Sequence, residues 1–352
     1  MIRINETPYR TSNNYGINSI EIDEKILQRK IGKFEGFSIK NDSEIRFLDK
    51  NDIKIERKMS QEFFEQTKKQ NNFARTFNIE KSTQKPVMLT FDLGAKENSL
   101  VEFVNINIKS GVKAQVIVRF VGERNCYHNG VLKVVCDEGS SLDIAVLSDL
   151  GVDGENFVTA EFVIKKNASI KPYLIDFSSR HSVYNVYCKL DKESASSKVK
   201  AIYLGEKDNV IDFNIFQEVF GQKAFATIDA VGALSGNARK NFKGTISFVK
   251  GCKKSFGSED EFCLLLSDTA KSKALPMLLC GEEDVDGKHS SAVGKADEKE
   301  LFYIMSRGLS YAEAIKLLVK AKLNVVVNEL FDDELKDEIL RKVDRRIESE
   351  NR

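Results

Sequence analysis

The sequence holds little that a conventional active site would use. Its three histidines, at 128, 181 and 289, leave scant material for acid–base catalysis. No G-x-x-x-x-G-K-[ST] phosphate loop, G-x-S-x-G elbow, H-E-x-x-H helix or dinucleotide fingerprint occurs, which argues against ATP hydrolysis by this chain and against those chemistries. The six cysteines, at 126, 136, 188, 252, 263 and 280, are scattered and none forms C-x-x-C. That spacing argues against a structural zinc site or a self-contained ferredoxin-type cluster within one chain; in a reducing cytosol the thiols are expected to be free. Neither sign of charge dominates: 54 basic residues face 53 acidic ones, so nothing points to nucleic acid or an anionic membrane as partner. No run approaches the ~18 apolar residues that span a bilayer. The amino terminus, MIRINETPYR, has no apolar signal region, and a cytoplasmic protein is expected. Only four prolines occur, so backbone donors stay available along extended segments.

What is present separates into three regions. Residues 1–84 are polar and mixed; Ile20–Ile31 and Met59–Asn71 can each hold a short helix. Residues 85–292 contain a dozen short β-rich runs, from Val87–Phe91 and Leu100–Ile108 through to Lys223–Val231 and Asn241–Phe248. Most alternate or are β-branched, with Gly, Asn, Asp or Lys-Asp clusters between them. Their centres fall every 12–18 residues, as in strand-plus-turn units stacked in register. Helical periodicity is almost absent there, which argues against a βαβ sheet. A large antiparallel sandwich or barrel and a parallel β-helix both fit this pattern, and Asn129-Gly130 is a hairpin signal for the former.

Residues 293–352 switch to helical periodicity. Asp297 with Glu300 makes a capping-box-like start. Leu301, Phe302, Ile304 and Met305 follow, and Gly308 is placed to stop the helix in a left-handed conformation. Ser310 and Glu313 open a second helix, with Ala314, Leu317, Leu318 and Ala321 along one stripe. A last helix is expected after Asp332, with Leu335, Ile339, Val343 and Ile347 on one face.

One ordered set of short motifs is more specific than any of its parts. It runs Asn-Phe-Lys-Gly-Thr-Ile (241–246), Cys-Leu-Leu-Leu-Ser (263–267), Ala-Leu-Pro (274–276), Glu-Asp-Val (283–285), His-Ser-Ser-Ala-Val-Gly (289–294) and Leu-Phe-Tyr-Ile-Met-Ser-Arg-Gly (301–308), with Ala314 after it. In this the chain resembles the SufB/SufD family, scaffold subunits of the Suf iron–sulfur cluster assembly machine. Thr7 to Asn18 is similar, more weakly, to that family's leader. The resemblance implies a right-handed parallel β-helix core with N-terminal and C-terminal helical caps over its ends. It also implies a scaffold, not an enzyme, that works with a SufC-type ATPase and either a SufB-type scaffold chain or a second copy of itself. The cargo would be a transient iron–sulfur cluster in the complex, with none tightly bound to the isolated chain.

Within the family the chain looks closer to SufD. Aligned through Pro276 and His289, the SufB cysteine held to accept sulfur falls at Glu261, and the carboxylates flanking the SufB histidine fall at Lys288 and Ser290. The histidine itself is retained as His289, which the resemblance makes an accessory cluster ligand at a scaffold–scaffold interface.

Each candidate has a bland reading beside the functional one. His289, placed by its neighbours Gly287 and Lys288 in an accessible loop, has an imidazole suited to iron; a role-free surface histidine looks the same. Cys280, ending an apolar run, is either a thiol for sulfur or iron or a core residue. Cys263, among leucines, reads as core. Glu282 and Glu283, with Asp284, have the chemistry to hold ferrous iron or a hard cation, or form a solvated loop. The segment carrying Leu301, Phe302, Tyr303, Arg307, Ala314 and Leu318 reads as the docking face for the ATPase or as a packing face. Two other functions stay open on residues alone: a carbohydrate-active β-helix lyase, and an inert structural solenoid.

Overall fold

The computed structural model describes residues 1–11, 15–41, 43, 45–48, 54–94, 98–177 and 179–350. Residues 12–14 of the leader-like stretch thus lie outside the described residues. The chain opens with β1 (Ile2–Ile4) and β2 (Ile20–Ile22), an antiparallel pair, then β3 (Phe37–Lys40), β4 (Ile45–Leu48), α1 (Gln61–Gln70) and β5 (Phe73–Ile79). The long series follows: β6 (Val87–Leu93), β7 (Ser99–Ile108), β8 (Lys113–Gly122), β9 (Tyr127–Cys136), β10 (Ser141–Asp149), β11 (Glu155–Ile164), β12 (Ser169–Asp176) and β13 (His181–Leu190). It continues with β14 (Ser196–Gly205), β15 (Val210–Val219), β16 (Phe225–Leu234), β17 (Arg239–Phe248), β18 (Ser255–Leu265), β19 (Lys271–Cys280) and β20 (Val285–Lys295). Three helices end the chain: α2 (Glu298–Met305), α3 (Tyr311–Val327) and α4 (Asp333–Glu350).

From β5 onward the strands alternate between two sheets, each strand pairing in parallel with the strand two places along the chain. This is a parallel β-solenoid of about eight turns. The antiparallel sandwich is thereby excluded. Asn129 and Gly130 lie inside β9 rather than in a hairpin. Gly130 is there because a β-carbon would fall 2.3 Å from Glu102 Oε1 and 2.5 Å from His128 Nε2.

Alternation explains the solenoid directly. Along each strand every second side chain enters the lumen between the sheets, where Val118, Leu132, Ile144, Phe162, Leu174, Val186 and Ile215 are buried in one continuous core. Aromatic rings stack from coil to coil, Phe91 on Phe120 at 5.1 Å and Tyr184 on Phe213 at 4.8 Å. Corners that need a left-handed residue are taken by Gly111 and Gly139 (φ 72° and 68°) and, one turn on, by Asn167 (φ 56°).

The flanking elements depart from the expected end caps. The N-terminal end is closed by β3 and β4, which pair antiparallel with β6 and β5, not by a helix. Within Ile20–Ile31 the structure has β2 and a short 3-10 turn at Glu24–Gln28, whereas Met59–Asn71 does contain a helix, α1, whose Ser60 N-cap accepts from the Phe63 amide. That helix lies on the outer face of one sheet, with Phe63 against Phe157 at 4.5 Å. Further along the same face the first strand's turn is pinned: Lys243 Nζ reaches Asp212 Oδ1 at 2.6 Å and the Asn5 carbonyl at 2.8 Å, all buried.

The C-terminal helices are also laid along a flank. Leu318, Val319, Leu323, Ile339 and Val343 are buried against Ala145, Leu147, Tyr173, Ile175, Ile202 and Val231 on the outside of the even-numbered sheet. Tyr173 donates to the Glu329 carbonyl at 2.7 Å, and Lys200 pairs with both Asp229 and Glu329. The local signals act as read: Asp297 caps α2, Gly308 has φ 94°, and Ser310 with Glu313 forms a reciprocal capping box. A helical stripe requires an apolar surface to cover, and the sheet flank offers more of it than a solenoid end. The end formed by β19 and β20 is left open.

Candidate functional site

The open end carries His289 on β20 and Cys280 at the close of β19. β20 terminates one sheet and β19 the other, and among the described residues no strand pairs with their outer sides. β20 is exposed along nearly its whole length. Pro276, which would interrupt a central strand, sits in the edge strand β19, where a missing donor is tolerated.

His289 lies in β20 and not in a loop, which corrects the expectation from its Gly-Lys-His surroundings. It is in register with Glu259 of β18, as Ser291 is with Glu261 and Val293 with Cys263. Since Glu259, Glu261 and Cys263 are the buried, lumen-facing residues of β18, His289 shares the lumen face. It is exposed because no further coil covers it, and its side chain makes no hydrogen bond among the described residues.

Directly beneath lies a polar floor that the sequence reading did not find. Lys240 Nζ and Glu261 Oε1 form an ion pair with both side chains fully buried, 2.5 Å apart. Tyr203 donates to Glu261 Oε1 at 2.9 Å and Ser291 to Oε2 at 2.8 Å. Burial pushes up the Cys263 thiol, which lies beside Tyr203 and Lys240. Glu259 differs: no side chain donates to either carboxyl oxygen. Burial raises its proton affinity well above the usual carboxylate range; the Met277 backbone amide opposes this, and the Glu261 and Asp260 charges add to it. Gly244 makes room for it, since a β-carbon there would fall 1.7 Å from Glu259 Oε1. Alternation was the available signal: with Cys263 placed in the core, residues 261 and 259 must share its side.

Cys280 ends β19 and is the one exposed cysteine of the six; Cys252 lies near it, buried in the corner before β18. Glu282 is occupied by its own turn, its carboxylate accepting from the amides of Gly251 at 2.9 Å and Glu283 at 3.0 Å, which holds its proton affinity down. Glu283 is exposed and beside it. The described residues contain no group of three or more His, Cys, Asp or Glu side chains able to hold a metal ion.

The helical candidates divide by burial. Leu301, Ala314 and Leu318 are packed into the helix–sheet core. Phe302 and Tyr303 are 75% and 58% exposed, and the Arg307 guanidinium lies over the Tyr303 ring at 4.8 Å. Of the six candidates, these three are the exposed ones.

A second polar group, unforeseen, lies deep in the early coils. His128 Nδ1 is 2.8 Å from Asn156 Oδ1, Asn156 donates to Tyr184 Oη at 3.0 Å, and Tyr184 donates to Asp176 Oδ1 at 3.0 Å. Phe120 stacks on the imidazole at 4.0 Å and Glu102 Oε1 is 3.6 Å from Nε2. All five polar residues are buried. No helix among the described residues is long and apolar enough to cross a membrane.

Comparison with known proteins agrees with the geometry. Residues 91–322 match the family model described as "SUF system FeS cluster assembly, SufBD core domain". Iron-sulfur cluster assembly protein SufD of Bacillus subtilis is 23% identical over 228 residues, covering 64% of this chain and 52% of its own length. SufD of Escherichia coli is 21% identical over 250 residues, 69% of this chain and 58% of that protein. SufB of Bacillus subtilis is 21% identical over 242 residues, 68% and 51% respectively. The chain thus spans about half the length of the curated relatives it matches.

Proposed function

Because this chain belongs to the SufBD core family of the SUF iron–sulfur cluster assembly system, we propose that it is a SufD-like scaffold, not a catalyst, acting in the cytoplasm. The single observation that carries this reading is the uncovered end. Both sheets stop there on edge strands of ten or eleven residues. Natural proteins rarely leave such edges free unless a partner uses them. A lumen-facing histidine stands at that edge. The partner is a SufB-type chain or a second copy, joined across β19 and β20, and its thiolates complete the ligand set that one imidazole cannot supply. His289 is then the accessory ligand, with Cys280, Glu282 and Glu283 as further candidates beside it; the cluster is cargo, held while the pair is assembled. In the same reading residues 1–84 are the N-terminal mixed region, 85–292 the core, which β3 to β5 and the last residues of β20 extend, and 293–352 the C-terminal helical domain. Phe302, Tyr303 and Arg307 receive a SufC-type ATPase; Leu301, Ala314 and Leu318 set their position from within the core.

Glu261 supports the SufD side of the family. A carboxylate tied to Lys240, Tyr203 and Ser291 has no capacity to accept sulfur. The test is reconstitution under anaerobic conditions of the chain with a SufC-type ATPase and a SufB-type partner. The ternary complex should gain visible charge-transfer absorption that the isolated chain lacks, and His289→Ala should reduce it. Full cluster loading by the variant, or no complex at all, would sink the reading.

A further inference from the structure

Glu259 is an expensive residue to keep where it is. A carboxyl taken out of water without a hydrogen-bond partner costs free energy that an apolar side chain of similar size would not. No side chain donates to either oxygen, only the Met277 backbone amide acts on the carboxyl, and the residue is fully buried. The fold makes space for it at a second position, since Gly244 cannot carry a β-carbon without striking it. Its neighbours Glu261 and Cys263 on the same face are engaged with Lys240 and Tyr203. Glu259 alone on this strand is buried and unspent.

The one polar side chain on the lumen face of the next strand, level with it, is His289. In parallel strands, partners in register stand about 4.8 Å apart at the backbone with side chains on the same side. Glu259 is below, under the last closed coil; His289 is above it and open to solvent on its outer side. An imidazole has two nitrogens, and which one is free to bind a metal is set by what the other one touches. The exposed ring turns about its side-chain bonds on a fast timescale, and an inward turn would bring a nitrogen toward Glu259.

We propose that Glu259 is the positioning residue of His289: its carboxylate accepts the inward ring N–H, fixing the tautomer and leaving the outward nitrogen's lone pair for iron or a cluster brought by a partner. The carboxyl that no other side chain in the lumen satisfies then has a side-chain donor. This rests on the scaffold reading for what His289 binds, but not for the Glu259–His289 pairing itself.

The experiment exploits the scarcity of histidine. With three histidines in the chain, ¹⁵N-histidine labelling of the full-length protein gives three ring systems. Those of His128 and His181 are already engaged, with Asn156 and Glu155, and His289→Ala identifies the third. In the wild type at pH 7.5 the His289 ring should show one tautomer. Glu259→Leu, which removes the acceptor at similar volume, should convert it to a mixture without lowering the melting temperature. Glu259→Gln, which retains an acceptor oxygen, should restore most of the preference. A mixed tautomer in the wild type, an unchanged ring in Glu259→Leu, or a large loss of melting temperature in that variant would overturn the proposal, the last by showing a structural role. No iron, cluster or partner is present in this measurement, so its failure is separate from failure of the reconstitution above.

Discussion

Lys240 and Glu261 form an ion pair sealed inside the solenoid, with neither side chain reaching solvent. Removing one partner strands the other charge in a dry interior. Lys240→Ala and Glu261→Ala should therefore each cost about 3–5 kcal/mol, whereas replacing both by methionine should cost far less. Chemical denaturation of the four proteins checks this; additive single losses in the double variant would contradict it.

Asp176 should give the stability curve a slope near neutrality. Its folded-state pKa is pushed up to about 7 from an ordinary 3.8, first by burial and further by Asp149, against the opposing Ser182 and Tyr184 hydrogen bonds and the Arg346 charge. The native chain thus keeps a proton that the unfolded chain releases. The contribution of this site is complete below about pH 4 and is lost as pH rises through about 7. Asp176→Asn should then be more stable than wild type above pH 7, by on the order of a few kcal/mol, with the advantage vanishing toward pH 4. Melting temperatures across pH 4–9 test it, and parallel curves for the two proteins would refute the assignment.

Gly130→Ala should be felt by the buried ladder. The added carbon meets Glu102 and His128, both without room to withdraw. A loss of about 1–3 kcal/mol is expected, accompanied by changed His128 ring signals. A melting temperature equal to wild type would show that the ladder yields.

The helical candidates separate by a single pair of substitutions. Leu318→Ala removes a buried side chain from the helix–sheet core and should cost about 2–5 kcal/mol. Phe302→Ala removes an exposed one and should change stability by no more than about 0.5 kcal/mol, while weakening capture of a SufC-type ATPase. Calorimetric titration of the folded variant decides the second half: unchanged affinity removes Phe302 from the docking face.

Much of the fold was legible because strand alternation is local. The runs from Val87 to Phe248 became β6 to β17, and the caps at Asp297, Ser310 and Gly308 formed where their chemistry required. What was not legible depends on neighbours far along the chain. His289 read as loop because an edge strand facing an open end needs no apolar alternation to hold it. The periodicity of α3 shows which face is apolar but not which surface receives it, so the helices were expected over an end and lie on a flank. Glu259 and Lys240 were overlooked for a related reason. Charged residues in a β-rich run read as solvent-facing, and only the register shows that these two point inward.

The two ends of the solenoid are unequal, and for the proposed pairing this would set its valency. At one end β3 and β4 reverse direction against β6 and β5, and at four residues each they offer little backbone to an incoming strand. At the other, β19 and β20 present long edges of parallel sheet. A stack with two such ends could add copies without limit, as fibres do; one with a single adhesive end is satisfied by one neighbour. In the proposed pairing across β19 and β20, an end-to-end contact would close the assembly at two chains, with each lumen opposite the other rather than opposite solvent.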